Sequence, residues 1–347
     1  MRPRICRVVV PALALVAGLG AAAAVAASGD VRAAADAGEG VPAFGHVFLI
    51  IGENTTYAHL TATNAPYLMG TIRPRAAWLT GYYAATHWSQ ANYVALVTGQ
   101  FTRCEQQDGG IACHQNAGNL FHQLDTAALT WKVWLEAGPA KCDTGSGGTC
   151  TSTTACPLSG FYTTGNPPIL FDNTEGPGGV WSPATPSAEC RNNDIPAGTA
   201  TSGMSTFNAG LATGQVASFN MVIPNGCDDG EANCKPVNHR YTQFDNFLAA
   251  EVPKIEASPA FGRNGVIIVV YDEDERAGGL APKNGFGSGG HVACAIISPL
   301  AIPGSYGHKY YHYSLLRTLE DGFGLGAHLG DANAVTPIAR IWRTPAR

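Results

Sequence analysis

The chain has 347 residues, of which 45% are hydrophobic and 14% are charged, and its formal net charge at pH 7 is −5. An acidic chain without a basic cluster is not expected to bind nucleic acid, because phosphate backbones require a positive surface. A chain of this length can bury the core of one large α/β domain.

The first 27 residues predict a secretory signal peptide. Arg2, Arg4 and Arg7 precede an uncharged, alanine-rich run over residues 8–27 that ends in small residues. An uncleaved membrane anchor is the alternative interpretation, because the run is about as long as the shortest spanning helices. We expect 28–40 to be a flexible spacer. Residues 41–347 are expected to form a single secreted domain with no stable membrane span after signal cleavage.

Five short apolar runs predict buried β-strands, because they are rich in β-branched residues and apolar on both faces. These strands are expected at residues 46–51, 129–134, 217–223, 266–271 and 292–298. Helical spacing of apolar residues predicts helices at 119–128, 241–258 and 311–321, and residues 92–96 have the pattern of a helix start. Strands that alternate with helices favour a three-layer α/β/α sandwich with a mostly parallel central sheet.

The stretch around 138–205 differs in composition from the rest of the chain. It is rich in Gly, Pro, Thr and Ser, and it holds four of the ten cysteines. It is predicted to be a disulfide-rich insertion into the α/β domain. The sequence leaves open whether this insertion caps the site or is only a surface excursion.

The cysteines favour export, because exported chains meet an oxidising compartment. Local disulfides are predicted for Cys104 with Cys113 and for Cys227 with Cys234. The insertion is expected to hold two more, with a connectivity that the sequence does not determine, among Cys142, Cys150, Cys156 and Cys190. Cys294 lies in an apolar run and is predicted to be a buried free thiol. A zinc–cysteine site is disfavoured, because no spacing matches a zinc finger.

Polar residues follow two of the predicted strands, at the position where open α/β sheets place their ligand sites. Glu53 and Asn54 come directly after the first strand. Glu53 offers a carboxylate to a hard cation, and Asn54 offers a carbonyl ligand or an amide donor. A plain turn is the alternative, since Gly52 and Asn54 are turn-forming residue types.

Four consecutive acids, Asp272 to Glu275, follow the strand at 266–271. Packing them together is costly without a positive charge, and a cation would relieve that cost. Asp272 and Glu273 are the predicted metal ligands, while Asp274 and Glu275 are expected to be solvated loop acids. Arg276 is the alternative source of positive charge.

Ser89 is the candidate nucleophile. It lies just before the predicted helix start, where a hydroxyl and a bound phosphate both gain from the positive end of the helix dipole. A cation can activate such a hydroxyl for attack on phosphorus. Asn92, one turn further, is a candidate donor to a phosphate oxygen. A simple N-cap role for Ser89 is the alternative.

Other polar residues near predicted strand ends are weaker candidates. His291 precedes the last strand and is a candidate general acid or ligand, with a structural histidine as the alternative. Asp229 and Glu231, inside the predicted Cys227 to Cys234 loop, form a possible second cation site or orient a base. His87 is close enough to Ser89 in sequence to contact phosphate, and His312 is expected to pack on the C-terminal helix.

The chain resembles a bacterial phosphoesterase family that includes secreted acid phosphatases and phosphatidylcholine-type phospholipases C, within the alkaline-phosphatase-like superfamily. The resemblance runs from residue 46 to about 325, and the order of the motifs makes it specific. The motifs, in order, are Glu53-Asn54, Ser89-Gln90-Ala91-Asn92-Tyr93, Thr98-Gly99, Ile223-Pro224-Asn225 with Asp229, Tyr271-Asp272-Glu273, Gly290-His291-Val292, Ile297-Ser298-Pro299 and Tyr313-Ser314-Leu315-Leu316-Arg317-Thr318-Leu319-Glu320-Asp321.

The resemblance implies an alkaline-phosphatase-like fold and a metal-dependent phosphoesterase with Ser89 as its nucleophile. It implies one divalent metal ion surrounded by Glu53, Asn54, Asp272 and Glu273, with Ser89 completing the shell. Oxygen ligands favour Ca²⁺, Mg²⁺ or Mn²⁺, and Zn²⁺ stays open. In the resemblance Asn92 holds a phosphate oxygen.

The chain departs from the family pattern at three places. The family often has Asp-x-His where this chain has Asp229-Gly230-Glu231, it often has Pro where this chain has Ala91, and its phospholipases usually have Asp-His where this chain has Gly290-His291. These departures, together with the short length, favour a secreted acid-phosphatase-like phosphomonoesterase acting on a small phosphoester. A phospholipase C or phosphodiesterase is the second interpretation, and a catalytically inactive binding protein on the same fold is the third.

Overall fold

The computed structural model describes residues 38–100, 108, 113–136, 138, 140–142, 165–175, 187–198, 203–276 and 286–343. The predicted signal peptide and the spacer up to residue 37 lie outside these residues. Residues 38–40 form a short turn, where Glu39 accepts a hydrogen bond of 2.8 Å from Arg317. Within the described ranges, no helix has the length and apolar character to cross a membrane.

The described strands and helices follow one another along the chain as short, mostly buried elements. The strands are β1 Val47–Gly52, β2 Ala77–Leu79, β3 Tyr82–Tyr83, β4 Trp131–Leu135, β5 Asp194–Pro196, β6 Phe219–Ile223, β7 Val266–Tyr271, β8 Cys294–Ile297, β9 Gly304–Tyr306 and β10 Tyr310–Tyr311. The helices are α1 Arg73–Arg75, α2 Ser89–Thr98, α3 Leu120–Thr126, α4 Asp172–Glu175, α5 Ala188–Asn193, α6 Ser205–Thr213, α7 Arg240–Ala257 and α8 His312–Phe323.

Eight of these strands form one sheet in the order β5-β4-β6-β1-β7-β8-β2-β9. Neighbouring strands are parallel except that β8 runs against both β7 and β2. The central strands β1, β6 and β7 are buried along their whole length, as the apolar residues on both of their faces require. The predicted mostly parallel sheet is therefore confirmed.

Helices cover both faces of the sheet. On one face, Phe207 of α6 packs against Phe48 of β1, and Phe244 of α7 packs edge-on against Tyr271 of β7. On the other face, Phe219 of β6 contacts Phe121 of α3 and Phe323 of α8. The layers are those of the predicted α/β/α sandwich.

The long predicted elements are confirmed with small shifts at their ends. The strand predicted at 266–271 is β7 itself, and the helices predicted at 241–258 and 311–321 are α7 and α8. The strand predicted at 292–298 is the shorter β8, which reverses direction. Strands β2, β5 and β9 are three residues each, and their sequences carry too little apolar periodicity to reveal them.

Two disulfides join described cysteines: the predicted Cys227–Cys234, and Cys142–Cys190, which joins two members of the set left open by the sequence. Cys113 is also disulfide-bonded, and its predicted partner Cys104 lies outside the described residues. Cys294 is a buried free thiol, as predicted. Cys150 and Cys156 lie outside the described residues, as does much of the insertion around 138–205.

Candidate active site

The site is built where β1 and β7 end side by side. These parallel strands are in register up to Gly52 and Tyr271, and the amide of Asp272 donates a hydrogen bond of 2.9 Å to the carbonyl oxygen of Gly52. The residues that follow each strand, Glu53 and Asp272, therefore leave the same edge of the sheet although 219 positions separate them in the sequence. Both are buried, with 5% and 0% of their surface exposed.

Ser89 is the first residue of α2, and all ten residues of that helix are buried. Its hydroxyl oxygen lies 3.0 Å from Glu53 Oε2, 3.3 Å from Asn54 Oδ1 and 3.4 Å from Glu273 Oε1. The single hydroxyl proton can be donated to one of these three acceptors at a time. The structure thus brings the predicted nucleophile and three of the predicted metal ligands to one point.

Glu53 is held from two further directions. The hydroxyl of Tyr93 donates a hydrogen bond of 2.7 Å to Glu53 Oε1, and the amide of Glu53 donates one of 2.7 Å to the carbonyl oxygen of Asp229. Burial, and after it the charge of Glu231, raises the pKa of Glu53 to about 8. Sequence reasoning missed the contact of Tyr93, although its place four residues after Ser89 puts both side chains on one face of α2.

Asp272 is buried beside two other acids, Glu53 and Glu273. Neither of its carboxylate oxygens has a hydrogen-bond partner, although the hydroxyl of Ser89 is near enough to lower its pKa. Burial, followed by the charges of Glu53 and Glu273, raises the pKa of Asp272 well above its ordinary value. A buried carboxylate with two unused oxygens is unstable unless a proton or a cation neutralises it.

A divalent cation fits this donor set. Among the described residues, no Lys or Arg forms an ion pair with Glu53, Asp229 or Asp272, so this part of the chain provides no positive charge that pairs with them. Carboxylate, amide and hydroxyl oxygens are ligands that hard divalent ions prefer. The residues that would hold the ion are Glu53, Asn54, Asp272 and Glu273, with Ser89 beside them.

These oxygens surround Ser89 with some spread. Among the described His, Cys, Asp and Glu side chains, only Cys142, Cys190 and Asp194 place three ligand atoms within 4.8 Å of one another, and those two cysteines are bonded to each other. The acids at the sheet edge are therefore spaced more widely than this, and oxygens of Asn54 and Ser89 would have to complete a donor set there.

Glu273 is oriented by the turn that precedes α2. Its Oε2 accepts a hydrogen bond of 2.9 Å from the amide of Trp88 and lies 3.1 Å from Nδ1 of His87. Burial raises the pKa of Glu273, and the hydrogen bond and charge of His87 oppose that rise. His87 is buried and its Nε2 lies 3.6 Å from Asp274 Oδ1, so this histidine joins two of the acids that follow β7.

Trp88 has an unusual backbone conformation for a bulky residue. Its φ is 97° and its ψ is 108°, in a region that favours glycine. This conformation places the amide of Trp88 on Glu273 while the next residue, Ser89, starts α2. Strain of this kind costs about 1–3 kcal/mol and is found at functional sites.

The side chain of Asn92 stabilises the loop before Ser89 with hydrogen bonds to its backbone. Its Oδ1 accepts hydrogen bonds from the amides of Ala85 (3.0 Å) and Thr86 (3.1 Å), and its Nδ2 donates to the carbonyl oxygen of Thr86 at 2.7 Å. The side chain predicted to hold a phosphate oxygen is thus already engaged in shaping the loop before Ser89. Its role toward phosphate stays a prediction.

Asp229 and Glu231 extend the acidic cluster beyond Glu53. The amide of Glu231 donates a hydrogen bond of 2.8 Å to Asp229 Oδ1, and the Cys227–Cys234 disulfide closes the loop that carries both. Burial and then the charge of Glu53 raise the pKa of Asp229 well above its ordinary value. The possible second cation site is therefore continuous with the first group of acids.

His291 lies in a different environment from the one expected for a general acid. Its Nε2 donates a hydrogen bond of 3.0 Å to the carbonyl oxygen of Thr80, and its ring stacks on Tyr57 and on Tyr83. Burial lowers the pKa of His291. No hydrogen bond in the described part of the chain joins it to Ser89.

Asp274 and Glu275 correct the expectation of solvated loop acids. Asp274 is buried and paired with Arg276 at 2.8 Å, so this arginine balances Asp274. Glu275 is largely buried and accepts hydrogen bonds from Arg240 and Tyr241. The sequence could not show the contacts of Glu275, because Arg240 and Tyr241 lie in α7, far from Glu275 in the chain.

Two further contacts shape the site. The amide of Gln90, near the start of α2, donates a hydrogen bond of 3.0 Å to the carboxylate of Asp108. Gly290 has a φ of 91°, and a Cβ at that position would lie 1.8 Å from Asp274 Oδ2. Only glycine therefore lets the loop before β8 approach the acids after β7.

Curated proteins with related sequences are phosphatases by name. A probable acid phosphatase of Kluyveromyces lactis is 27% identical over 301 residues, which are 86% of this chain and 63% of that protein. The chain thus spans less than two thirds of this yeast relative. A phosphatidylinositol-3-phosphatase of Mycobacterium tuberculosis is 25% identical over 95% of this chain and 94% of its own length.

A solved structure shares the fold of this chain, and a family model matches most of its sequence. The phosphonate monoester hydrolase of Agrobacterium radiobacter superposes with a TM-score of 0.50 at 13% identity, covering 86% of this chain and 79% of that structure. The expected alkaline-phosphatase-like fold is confirmed. The model of the phosphoesterase family matches residues 75–326, which is most of the chain and includes every candidate residue except Glu53 and Asn54. This chain belongs to the phosphoesterase family.

Proposed function

We propose that this protein hydrolyses phosphomonoesters through a covalent phosphoserine at Ser89. One divalent cation would be held by Glu53, Asn54, Asp272 and Glu273, with Ser89 in the same shell. The observation that carries the proposal is the convergence of the Ser89 hydroxyl on three of these side chains at 3.0–3.4 Å, beside a buried Asp272 with two unpartnered oxygens. Family membership supports phosphoester hydrolysis.

When bound, the cation would favour the ionised form of the nucleophile and offset negative charge on the phosphoryl oxygens. The chain provides the rest of the machinery. The Ser89 proton can pass to a neighbouring carboxylate, of which Glu53 is the nearest.

Ser89 Oγ then attacks phosphorus in line with the ester oxygen, the ester P–O bond breaks, and the alcohol leaves with the proton that Glu53 accepted from Ser89. Water afterwards attacks phosphorus, the bond between phosphorus and Ser89 Oγ breaks, inorganic phosphate leaves, and a proton from the water returns to Ser89. The start of α2 places the positive end of its dipole beside the reacting group, which favours the charge that builds on the phosphoryl oxygens. We leave His291 outside the reacting groups, since its Nε2 is engaged by Thr80.

We also propose that the protein acts outside the cytoplasm. The predicted signal peptide motivates this, and the Cys142–Cys190 and Cys227–Cys234 disulfides support it, because disulfides persist mainly in oxidising compartments. Extracytoplasmic placement would give such an enzyme access to small phosphoesters in the surroundings.

A phosphoester panel with and without chelator tests the function. The purified chain would be assayed on p-nitrophenyl phosphate, bis-p-nitrophenyl phosphate and phosphatidylcholine, first with EDTA and then with Ca²⁺, Mg²⁺, Mn²⁺ or Zn²⁺ restored. We expect the monoester to be hydrolysed fastest, activity to disappear in EDTA, and one of the ions to restore it. Faster hydrolysis of either diester would support a phosphodiesterase or phospholipase, and no hydrolysis with any ion would support an inactive binding protein.

A further inference from the structure

Next to the backbone of Asp272, two polar side chains form a buried chain of hydrogen bonds. His312, the first residue of α8, has its Nε2 2.6 Å from the carbonyl oxygen of Asp272. Its Nδ1 lies 3.0 Å from the hydroxyl of Tyr82 in β3. Both His312 and Tyr82 are completely buried. The sequence led us to expect only that His312 packs on the C-terminal helix.

The directions of these two hydrogen bonds are fixed by their chemistry. A carbonyl oxygen only accepts, so Nε2–H of His312 donates to Asp272, and Nδ1 of the neutral ring then accepts from the hydroxyl of Tyr82. Tyr82 thus selects the tautomer that points a donor at Asp272.

Asp272 depends on its backbone for its place. Its carboxylate oxygens have no hydrogen-bond partner, and the groups that act on them are the Ser89 hydroxyl and neighbouring acids. Its amide is held by Gly52, at 2.9 Å, and its carbonyl oxygen by His312. These two hydrogen bonds fix the peptide groups on both sides of the Asp272 Cα, and Glu273 follows directly.

We propose that Tyr82 and His312 are positioning residues for the cation site: they hold the backbone at the end of β7 so that the carboxylates of Asp272 and Glu273 meet Ser89. This inference rests on the proposed function. Partners that orient metal ligands in this indirect way typically change metal affinity or activity about 10–100-fold when they are removed.

The test is a cation titration followed by thermal unfolding. Wild type, His312→Leu, His312→Gln and Tyr82→Phe would be stripped with EDTA and titrated with Mn²⁺ and, separately, with Ca²⁺. The readout is the cation concentration that gives half of the maximal rise in Tm, with kcat and KM on p-nitrophenyl phosphate measured beside it. Leu removes both hydrogen bonds, whereas the amide of Gln can donate to Asp272 and accept from Tyr82.

We expect His312→Leu to raise the half-maximal cation concentration about tenfold or more and to lower kcat more than it changes KM. His312→Gln should recover most of this loss, and Tyr82→Phe should lie between wild type and His312→Leu. Tyr82→Phe removes a single hydroxyl, so it remains informative if His312→Leu does not fold.

His46 provides the matched control. Its Nδ1 donates a hydrogen bond of 2.8 Å to the carbonyl oxygen of Ala217, at the opposite edge of the sheet from the site. His46→Leu is expected to lower Tm without moving the half-maximal cation concentration. If His312→Leu acted only through a general loss of packing, His46→Leu would shift the half-maximal cation concentration by a similar amount.

The outcomes separate this inference from the function on which it depends. If wild type hydrolyses the monoester and is stabilised by a cation, but His312→Leu and Tyr82→Phe match it in half-maximal concentration, the positioning role is wrong and the function stands. An equal shift in His46→Leu would also overturn the positioning role. If wild type shows neither cation stabilisation nor hydrolysis, the proposed function fails and this inference fails with it.

Discussion

Asp245 in α7 and Asp272 after β7 are both almost completely buried, but their carboxylates have opposite surroundings. Asp245 accepts hydrogen bonds from the backbone amides of Tyr67 (2.9 Å) and Leu68 (2.7 Å), so each of its oxygens has a partner. Asp272 has no partner on either oxygen, and its nearest charged neighbours, Glu53 and Glu273, are also acids. The Asp245 carboxylate joins α7 to the backbone at Tyr67 and Leu68, whereas the Asp272 carboxylate oxygens accept no hydrogen bond.

Burial alone therefore does not mark a functional carboxylate. Native structures satisfy nearly all of their buried polar atoms, so an unsatisfied pair of oxygens on a buried carboxylate requires an explanation. For Asp272 a proton or the proposed cation would supply it, while the oxygens of Asp245 are satisfied by backbone amides. Substitutions at Ser89, Asp272, Asp245 and Glu136 distinguish the two environments.

The largest effect is expected for Ser89→Ala, which leaves both aspartates in place. Without a nucleophile, kcat should fall by about three orders of magnitude or more, while Tm stays close to that of wild type. Assays on p-nitrophenyl phosphate and thermal unfolding measure the two quantities. If kcat is retained, the region of Asp272 does not act through Ser89.

Ser298→Ala is the matched control for Ser89→Ala. The Ser298 hydroxyl donates to the carbonyl oxygen of Gly265 at 2.7 Å and accepts from the amide of Leu300 at 3.1 Å, both on the far side of the sheet. We expect kcat to be unchanged and the free energy of unfolding to fall by about 1 kcal/mol.

Asp272→Asn and Asp245→Asn probe the two regions directly. Asp272→Asn should lower kcat/KM about 100-fold or more, because it removes a negative charge that would face the divalent ion. In EDTA the same variant should be as stable as wild type or more stable, because it removes a buried charge that has no partner. Activity assays and denaturant unfolding in EDTA check both parts.

Asp245→Asn should have the opposite signature. The amide keeps one acceptor, but its NH₂ group faces a backbone N–H, so the free energy of unfolding should fall by about 1–3 kcal/mol. Hydrolysis per folded molecule should not change. If both Asn variants lose stability and activity in the same proportion, the contrast between the two regions is wrong.

Glu136 is a third buried acid, and we expect a smaller effect on stability at this position. It is buried at the end of β4, and one oxygen accepts a hydrogen bond of 3.0 Å from the amide of Asn225. Burial, and after it the charge of Asp228, raises the pKa of Glu136 to about 8 from an ordinary value of 4.5. The folded chain therefore binds a proton that the unfolded chain has released, so stability falls as pH rises from about 4.5 to about 8.

Glu136→Gln removes this proton-binding group. In EDTA we expect the decrease of Tm between pH 5 and pH 8 to be smaller in the variant than in wild type, with the largest difference near pH 8. Thermal unfolding at a series of pH values measures it. A Tm difference that does not change with pH would show that the charge of Glu136 does not limit stability.

The sequence predicted the scaffold well because its signals are local. The apolar β-branched run of β7 and the helical spacing of α7 and α8 are each contained in fewer than 20 residues. The ends of β1 and β7 also predicted where Glu53 and Asp272 would meet, because parallel strands bring their carboxyl ends to one edge. Strands of three residues, such as β2, carry no comparable pattern.

The environment of each site residue could not be predicted in the same way, because it depends on pairs that are distant in the chain. Glu275 was expected to be solvated, but it is paired with Arg240 and Tyr241. His291 was a candidate acid, and its ring stacks on Tyr57 and Tyr83 while its Nε2 donates to the carbonyl of Thr80, so its catalytic role stays a prediction. No short-range pattern encodes these contacts.

The backbone of Trp88 links heat resistance to the geometry before Ser89. Glycine at this position would remove a conformational penalty of about 1–3 kcal/mol, but it would also remove an indole that packs against the core. The same exchange would give the turn before Ser89 more freedom and loosen the amide that holds Glu273. A screen for thermotolerance is therefore expected to keep the strained tryptophan.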